Sequence, residues 1–238
     1  MKKFIVASVV AVTVVAASAR AQTTIAQWTF ESQVATNIVE GAGVSSPSLT
    51  PETGTGAAIG LHATASTYSF PAGDIDLTLA PSITTSSHSF SGNGWTIGDY
   101  FQFQTSTLGF TGVNIGWDQT GSNTGPGAFQ LSWGTDGVNF TVVSSYSLTP
   151  ASWNATTALG NNESVSSATF GGAVDNLATV YFRIVDNATT SITGGAIGTA
   201  GTGRVDNFTV LGVVPEPSTI ALVGAGLAGL LALRRRRS

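Results

Sequence analysis

Between residues 22 and 214, apolar side chains recur at every second position in short runs separated by Gly, Asn, Asp, Ser or Pro. No stretch there sustains the 3.6-residue period of an amphipathic helix, so the pattern predicts strands throughout. Residues 25–30 (IAQWTF) open the series, followed by 100–104 (YFQFQ) and 113–117 (VNIGW). Residues 129–133 (FQLSW) place Phe129, Leu131 and Trp133 on one face. The Gly134-Thr135-Asp136-Gly137 stretch is a turn signal, and residues 140–143 return from it. Residues 180–185 (VYFRIV) and 205–211 (VDNFTVL) supply late strands. In the last of these, Val205, Phe208 and Val210 do not share one period-2 face, which predicts a bulge near Asn207. The Gly-, Ser-, Thr- and Ala-rich stretches 36–66 and 186–204 read as long surface loops. The expected architecture is all-β, a single jelly-roll-like β-sandwich over residues 22–212, with a pair of small β domains as the alternative.

Composition supports a packed core, because 42% of residues are hydrophobic and five are Trp. The absence of cysteine excludes disulfides, thiolate metal sites and a Cys nucleophile. At the N-terminus, Lys2 and Lys3 precede an apolar run over 4–17, and Ala19 and Ala21 are the small residues a signal peptidase reads. A signal peptide over 1–21, cut before Gln22, is expected. With both ends set aside, residues 22–214 hold Arg183 and Arg204 against twelve carboxylates, a net charge of −10 with no lysine. Nucleic acid is therefore excluded as a partner, since displacing phosphate counterions needs basic groups. Hydroxyls, amides and acids suit neutral sugars or divalent cations.

The candidate chemistry is sparse. Asp74 and Asp76 would share a face if they lay in a strand, but Pro71-Ala72-Gly73 places them in a turn, and no clustered acidic motif for glycoside hydrolysis accompanies them. His62 and His88 sit in small-residue and Ser-rich stretches without a nucleophile-elbow pattern and are expected to be solvated loop residues. A non-enzymatic protein is the resulting expectation. Calcium favours hard oxygen ligands, and Glu31 and Asp206 lie where the first and last strands of a jelly roll run side by side. They form the candidate metal site. The competing expectation has Glu31 as a solvated strand end and Asp206 capping a turn or pairing with Arg204 or Arg183. Asp118, Asn123 and Asp136 are expected to bond local turn backbone. Trp95 and Trp153 have loop contexts and are the candidate stacking platforms for sugar, whereas Trp28, Trp117 and Trp133 belong to strands and to the core.

The last 26 residues, 213–238, have a different character. The apolar run 220–233, as a helix rising 1.5 Å per residue, spans about 21 Å. That is short of a hydrocarbon core of about 30 Å unless Pro217, Ser218 and Thr219 enter too. A single short transmembrane helix is expected, with Arg234, Arg235, Arg236 and Arg237 held on the cytoplasmic side as a membrane stop. Pro215, Glu216 and Pro217 keep the preceding segment extended and accessible. The succession of VPEPST, a Gly/Ala/Leu-rich helix and an Arg cluster resembles the PEP-CTERM sorting signal of Gram-negative bacteria. The resemblance implies processing near Pro215, Glu216 and Pro217 by an exosortase-type membrane transpeptidase, and association with extracellular polysaccharide or biofilm matrix. The body, with IAQWTFE early and RVDNFTVLG before the tail, is similar to sandwich domains often found in such proteins. The expected protein is thus exported, transiently anchored in the membrane by its C-terminus, then placed at the cell surface or in the matrix. A carbohydrate-binding module is the alternative, with a polysaccharide-active hydrolase behind it.

Overall fold

Alternating aromatic and β-branched residues build two antiparallel sheets, seen in a computed structural model that describes residues 22–34, 36–75, 86–150, 153, 161–165, 167–215 and 235. The larger sheet contains β1 (Thr23–Trp28), β2 (Ile38–Glu40), β3 (Thr53–Gly54), β5 (Ser66–Ser69), β6 (Phe90–Gly92), β8 (Thr111–Gly121), β11 (Asn161–Val165) and β13 (Gly203–Val213). Its order is β11-β8-β13-β6-β5-β2, and β1 pairs with both β13 and β3. The smaller sheet contains β4 (Ala57–Leu61), β7 (Tyr100–Thr105), β9 (Ala128–Gly134), β10 (Thr141–Ser147) and β12 (Val180–Asp186), in the order β10-β9-β12-β7-β4. One helical turn, α1 (Ser167–Phe170), precedes β12.

The sheets meet through aromatic rings. Phe103 of β7 stacks on Phe208 of β13 with centroids 3.7 Å apart and planes 1° from parallel. Trp28 and Trp117 of the larger sheet and Phe182 of the smaller one approach the same Phe208 ring. A second cluster gathers Tyr68, Phe70, Phe90, Phe101 and Trp95. These rings belong to one continuous core, so the body is a single sandwich, not two small domains.

The strands expected over 100–104, 113–117, 129–133, 180–185 and 205–211 all form. Phe129 and Leu131 are fully buried and Trp133 packs partly against the core, on one face as expected. The stretch 36–66 differs from expectation: it holds β2, β3 and β4 instead of one surface loop. The reason is β4, whose inward positions are Ala58 and Gly60. A Cβ at Gly60 would overlap the Tyr68 ring, so close packing demands a residue too small to register in a hydrophobic pattern. Residues 45–49 then cover the free edge of β4, with Ser46 N donating to Gly60 O and Leu49 and Ala58 exchanging 2.8 Å backbone bonds. His62 and Asp118, expected on solvated loops and turns, are both fully buried.

The predicted bulge is real and has a structural consequence. β8 lies along one side of β13, while the other side is shared, β6 pairing with Gly203–Val205 and β1 with Phe208 through Gly212. Between these two partners the register shifts after Asp206, and Asn207 adopts φ = 52°. The sheet opens there.

The expected signal segment with Ala19 and Ala21, and the tail residues Glu216, Pro217, Arg234, Arg236 and Arg237, lie outside the described residues, as does the expected span over 220–233. Among the described residues no helix is long and apolar enough to cross a membrane.

Candidate functional site

The opening in the larger sheet brings Glu31 and Asp206 together. Asp206 is fully buried, and its Oδ2 accepts from Asp74 N at 2.9 Å and Ser86 Oγ at 2.8 Å. Glu31, at the exit of β1, accepts through Oε1 from Ser87 N at 2.7 Å and His88 N at 3.0 Å. Ser86 Oγ stands 3.2 Å from that same Glu31 oxygen and 3.1 Å from His88 O. One hydroxyl proton therefore faces three acceptor oxygens, and at any instant two of them go without it. Asn207 completes the joint, donating from Nδ2 to Asp74 O and to Asp118 Oδ2, both at 2.7 Å. Gly73 closes over it so tightly that a Cβ would overlap Ser86 Oγ, Asp206 Oδ2 and His88 O. Burial pushes the Asp206 carboxyl well above the usual carboxylate range. Neither arginine forms an ion pair with Asp206 among the described residues, so the expected pairing with Arg204 or Arg183 is replaced by this network. No group of three or more His, Asp and Glu side chains among the described residues is placed to hold a metal ion, so a cation here would draw on hydroxyl and carbonyl oxygens as well.

Arg183 has a different role. It points outward from the smaller sheet, in a cross-strand row with Ile59, Gln102 and Ser132. Its guanidinium lies 3.9 Å from the Tyr100 ring centroid and 3.8 Å from that of Phe140. It donates to Gln102 Oε1 at 2.8 Å and to Gly137 O at 3.1 Å. The Gly137 turn is held by Asp136, which accepts from Val138 N and Asn139 N as its position in the sequence suggested. Those bonds, led by the one from the Asn139 side chain, hold the Asp136 carboxyl down at about 2. Arg183 thus fastens a turn onto a sheet whose outer face also carries Tyr181, Gln104 and Gln130.

At one end of the sandwich, Asp99 accepts from Ala63 N at 2.7 Å and Thr96 N at 2.6 Å. His62, whose Nδ1 faces Asn93 O at 2.7 Å, packs its ring 4.2 Å from Trp95, and burial lowers its pKa. Asp186 exchanges backbone bonds with this loop, and its buried carboxyl is pushed up to about 6, mainly by desolvation. The folded state therefore holds this proton more tightly than the unfolded chain. Stability is highest below the unfolded value and falls as pH rises from about 4 through about 6. The expected loss from this one group is about 1–3 kcal/mol, read as the difference between the parent chain and Asp186→Asn in how melting temperature changes from pH 4.5 to pH 7.5. Asp186→Asn should flatten that slope; an unchanged slope would remove Asp186 as its source.

Trp95 and Trp153, expected to expose their rings, are 5% and 8% exposed. Trp95 donates from Nε1 to Gly92 O at 2.7 Å and packs edge-on against Phe101 and Phe129. Both nevertheless line clefts. Trp95 borders one of about 500 Å³ with Thr64, Thr96, Ile197 and Thr199. Trp153 borders one of about 370 Å³ with Thr120, Ser122, Asn123, Pro150 and Arg204. Arg204 carries no local sequence signal for this cleft; its scarcity, as one of two arginines among twelve carboxylates over residues 22–214, is the only mark it bears.

The tail begins where β13 ends: Val213 is its last residue, and Val214 and Pro215 are exposed. No match is found among curated proteins. Among solved structures, the chain is similar to the xylan-binding CBM22-1 domain of Paenibacillus barcinonensis Xyn10C, at 10% identity and TM-score 0.36, over 84% of this chain and 100% of that one. It is also similar to CtCBM11, at 14% identity and TM-score 0.35, over 84% of this chain and 99% of that one. The CBM22-1–GH10 portion of a Clostridium thermocellum xylanase matches at 10% identity and TM-score 0.37, over 61% of this chain and only 24% of the other's length. Likenesses this distant carry no argument about ligand or activity. The sequence of the tail is decisive on its own terms: residues 213–237 match the PEP-CTERM protein-sorting motif, so this chain is an exported protein sorted through its C-terminus.

Proposed function

We propose that the protein is a non-enzymatic component of the cell surface or exopolysaccharide matrix of a Gram-negative bacterium, delivered as a membrane-anchored precursor and processed near Pro215, Glu216 and Pro217 by an exosortase-type transpeptidase. One observation carries this reading. The last strand runs to Val213 and the sorting motif starts at that residue, with Pro215 exposed. The address can thus be cut away without unpicking the sandwich. Signal peptidase would act first, at Ala19 and Ala21, and the body would then face the periplasm while the arginine cluster holds the tail. Intact mass of the mature protein from its host tests the order of events. The expected product begins at Gln22 and ends close to Pro215–Pro217. A mature species that retains Arg234 to Arg237 would overturn the reading.

A second reading, that the body is a carbohydrate-binding module, is favoured by the cleft beside Trp153. It lies on an exported domain rich in hydroxyls and amides. Calcium at the Glu31–Asp206 joint would be a structural ion under either reading, drawing on the Glu31, Asp206, Ser86 and His88 oxygens that converge where the exit of the first strand meets the last.

A further inference from the structure

Arg204 and Arg183 are the two cations of a body that carries twelve carboxylates, and the structure uses them differently. Arg183 is held between two rings and by two short hydrogen bonds. Arg204 makes one long contact among the described residues, 3.5 Å to Ala72 O, and has no carboxylate within 4 Å there. It is partly buried, beside Thr120 on β8, in the wall of the 370 Å³ cleft. Among the described residues no acidic side chain lines that cleft. Its other polar side chains among the described residues are the hydroxyls of Thr120 and Ser122 and the exposed amide of Asn123, and the Trp153 indole and Pro150 give it an apolar side.

The rim is built in advance. Ser122 N donates to Thr202 O and Thr202 N to Ser122 Oγ, both at 2.9 Å. Thr193 Oγ1 donates to Asn123 O at 2.8 Å, and Gly198 N to Thr124 O at 2.9 Å. Gly125 and Gly201 lie so close to the facing backbone that a Cβ on either would overlap it. Such a rim need not be ordered on binding, which removes one cost of association.

We propose that this cleft binds a carboxylated sugar unit, a uronic acid residue of an extracellular polysaccharide, with Arg204 taking the carboxylate. A guanidinium offers the planar pair of donors that a carboxylate accepts side by side. The amide and hydroxyls then face the sugar hydroxyls, and the indole faces the apolar side of the ring. The inference rests on the second reading above for the presence of a sugar site, and adds the charge of its ligand. A free uronate and a chain-internal one share this chemistry, and the probes separate them.

The test is calorimetric titration of the full-length chain in detergent with three probes: a trigalacturonate, the same trisaccharide with its carboxyls reduced to alcohols, and monomeric galacturonate. Trigalacturonate should bind at least tenfold more tightly than the reduced form, and monomeric galacturonate should compete with it. Arg204→Gln should abolish the preference for the acidic probe. Asn123→Asp, an exposed change on the rim that leaves Arg204 in place, should weaken the acidic probe selectively, so a misfolded Arg204 variant does not decide the matter. Equal binding of acidic and reduced trisaccharides would overturn this proposal and leave the carbohydrate-binding reading standing. Binding of neither would overturn both.

Discussion

Phe208→Ala is expected to cost about 3–5 kcal/mol of stability in urea denaturation, the range for removing a buried phenyl ring from a packed core. The ring has no exposed surface and stacks on Phe103 at 3.7 Å, with Trp28, Trp117 and Phe182 around it. These partners come from both sheets, so the cavity left by alanine would sit at the junction of the layers, where no single side chain can move in to fill it. For a chain of this size each kcal/mol lowers the melting temperature by roughly 2–4 °C, which gives an expected drop of about 6–20 °C. Phe208→Leu should recover more than half of the loss. A loss below about 1 kcal/mol for the alanine variant would mean the two sheets are held together elsewhere.

The second large effect concerns the joint at Asp206. Gly73→Ala adds one methyl group where Ser86 Oγ, Asp206 Oδ2 and His88 O already converge. All three neighbours are tied to one another through the Ser86 hydroxyl, so the backbone at Gly73 must shift. Overpacking of this kind costs about 1–3 kcal/mol, and displacing Asp74 N from Asp206 leaves a buried carboxylate short of a donor, a further 1–3 kcal/mol or so. Calcium provides the companion measurement. If the ion binds the folded state, a hundredfold excess over its dissociation constant adds about 2.7 kcal/mol, or roughly 5–10 °C in melting temperature. Gly73→Ala should abolish that response as well as lowering the starting point. A melting temperature indifferent to calcium in the parent chain would reject the ion, while the cost of the methyl group would stand on packing alone.

Most strands were legible because their inward positions are large and alternate cleanly, as in Phe101 and Phe103 or Phe182 and Ile184. β4 was not, since its inward positions are Ala58 and Gly60, and the Tyr68 ring fills the space that larger side chains would have advertised. The bulge near Asn207 could be read from a break in period. What the break exposes could not, because Gly73, Ser86 and His88 are brought to it by tertiary structure across more than a hundred residues of chain. The pairing of Glu31 with Asp206 was visible as a consequence of first and last strands lying together, yet Ser86, which joins them, carries no signal in a Ser-rich stretch. Likewise His62 reads as a loop histidine among small residues, and only the packing of Trp95 and Tyr68 against it accounts for its burial. The two tryptophans chosen by loop context do reach clefts, but with their rings mostly covered, so it is the wall they form that matters.

β13 is the last strand of the body and also a central one, with β8 on one side and β6 and β1 on the other. A chain that crosses a membrane N-terminus first delivers this strand after every other. Until residues 203–213 emerge, β1, β6 and β8 have no common partner and Phe103, edge-on to Trp28, lacks the ring it stacks on. The sandwich therefore closes only when its final strand arrives, directly before the sorting motif that starts at Val213. Completion of the fold and appearance of the sorting motif thus fall together, because the strand that closes the sandwich ends at the residue where the motif starts.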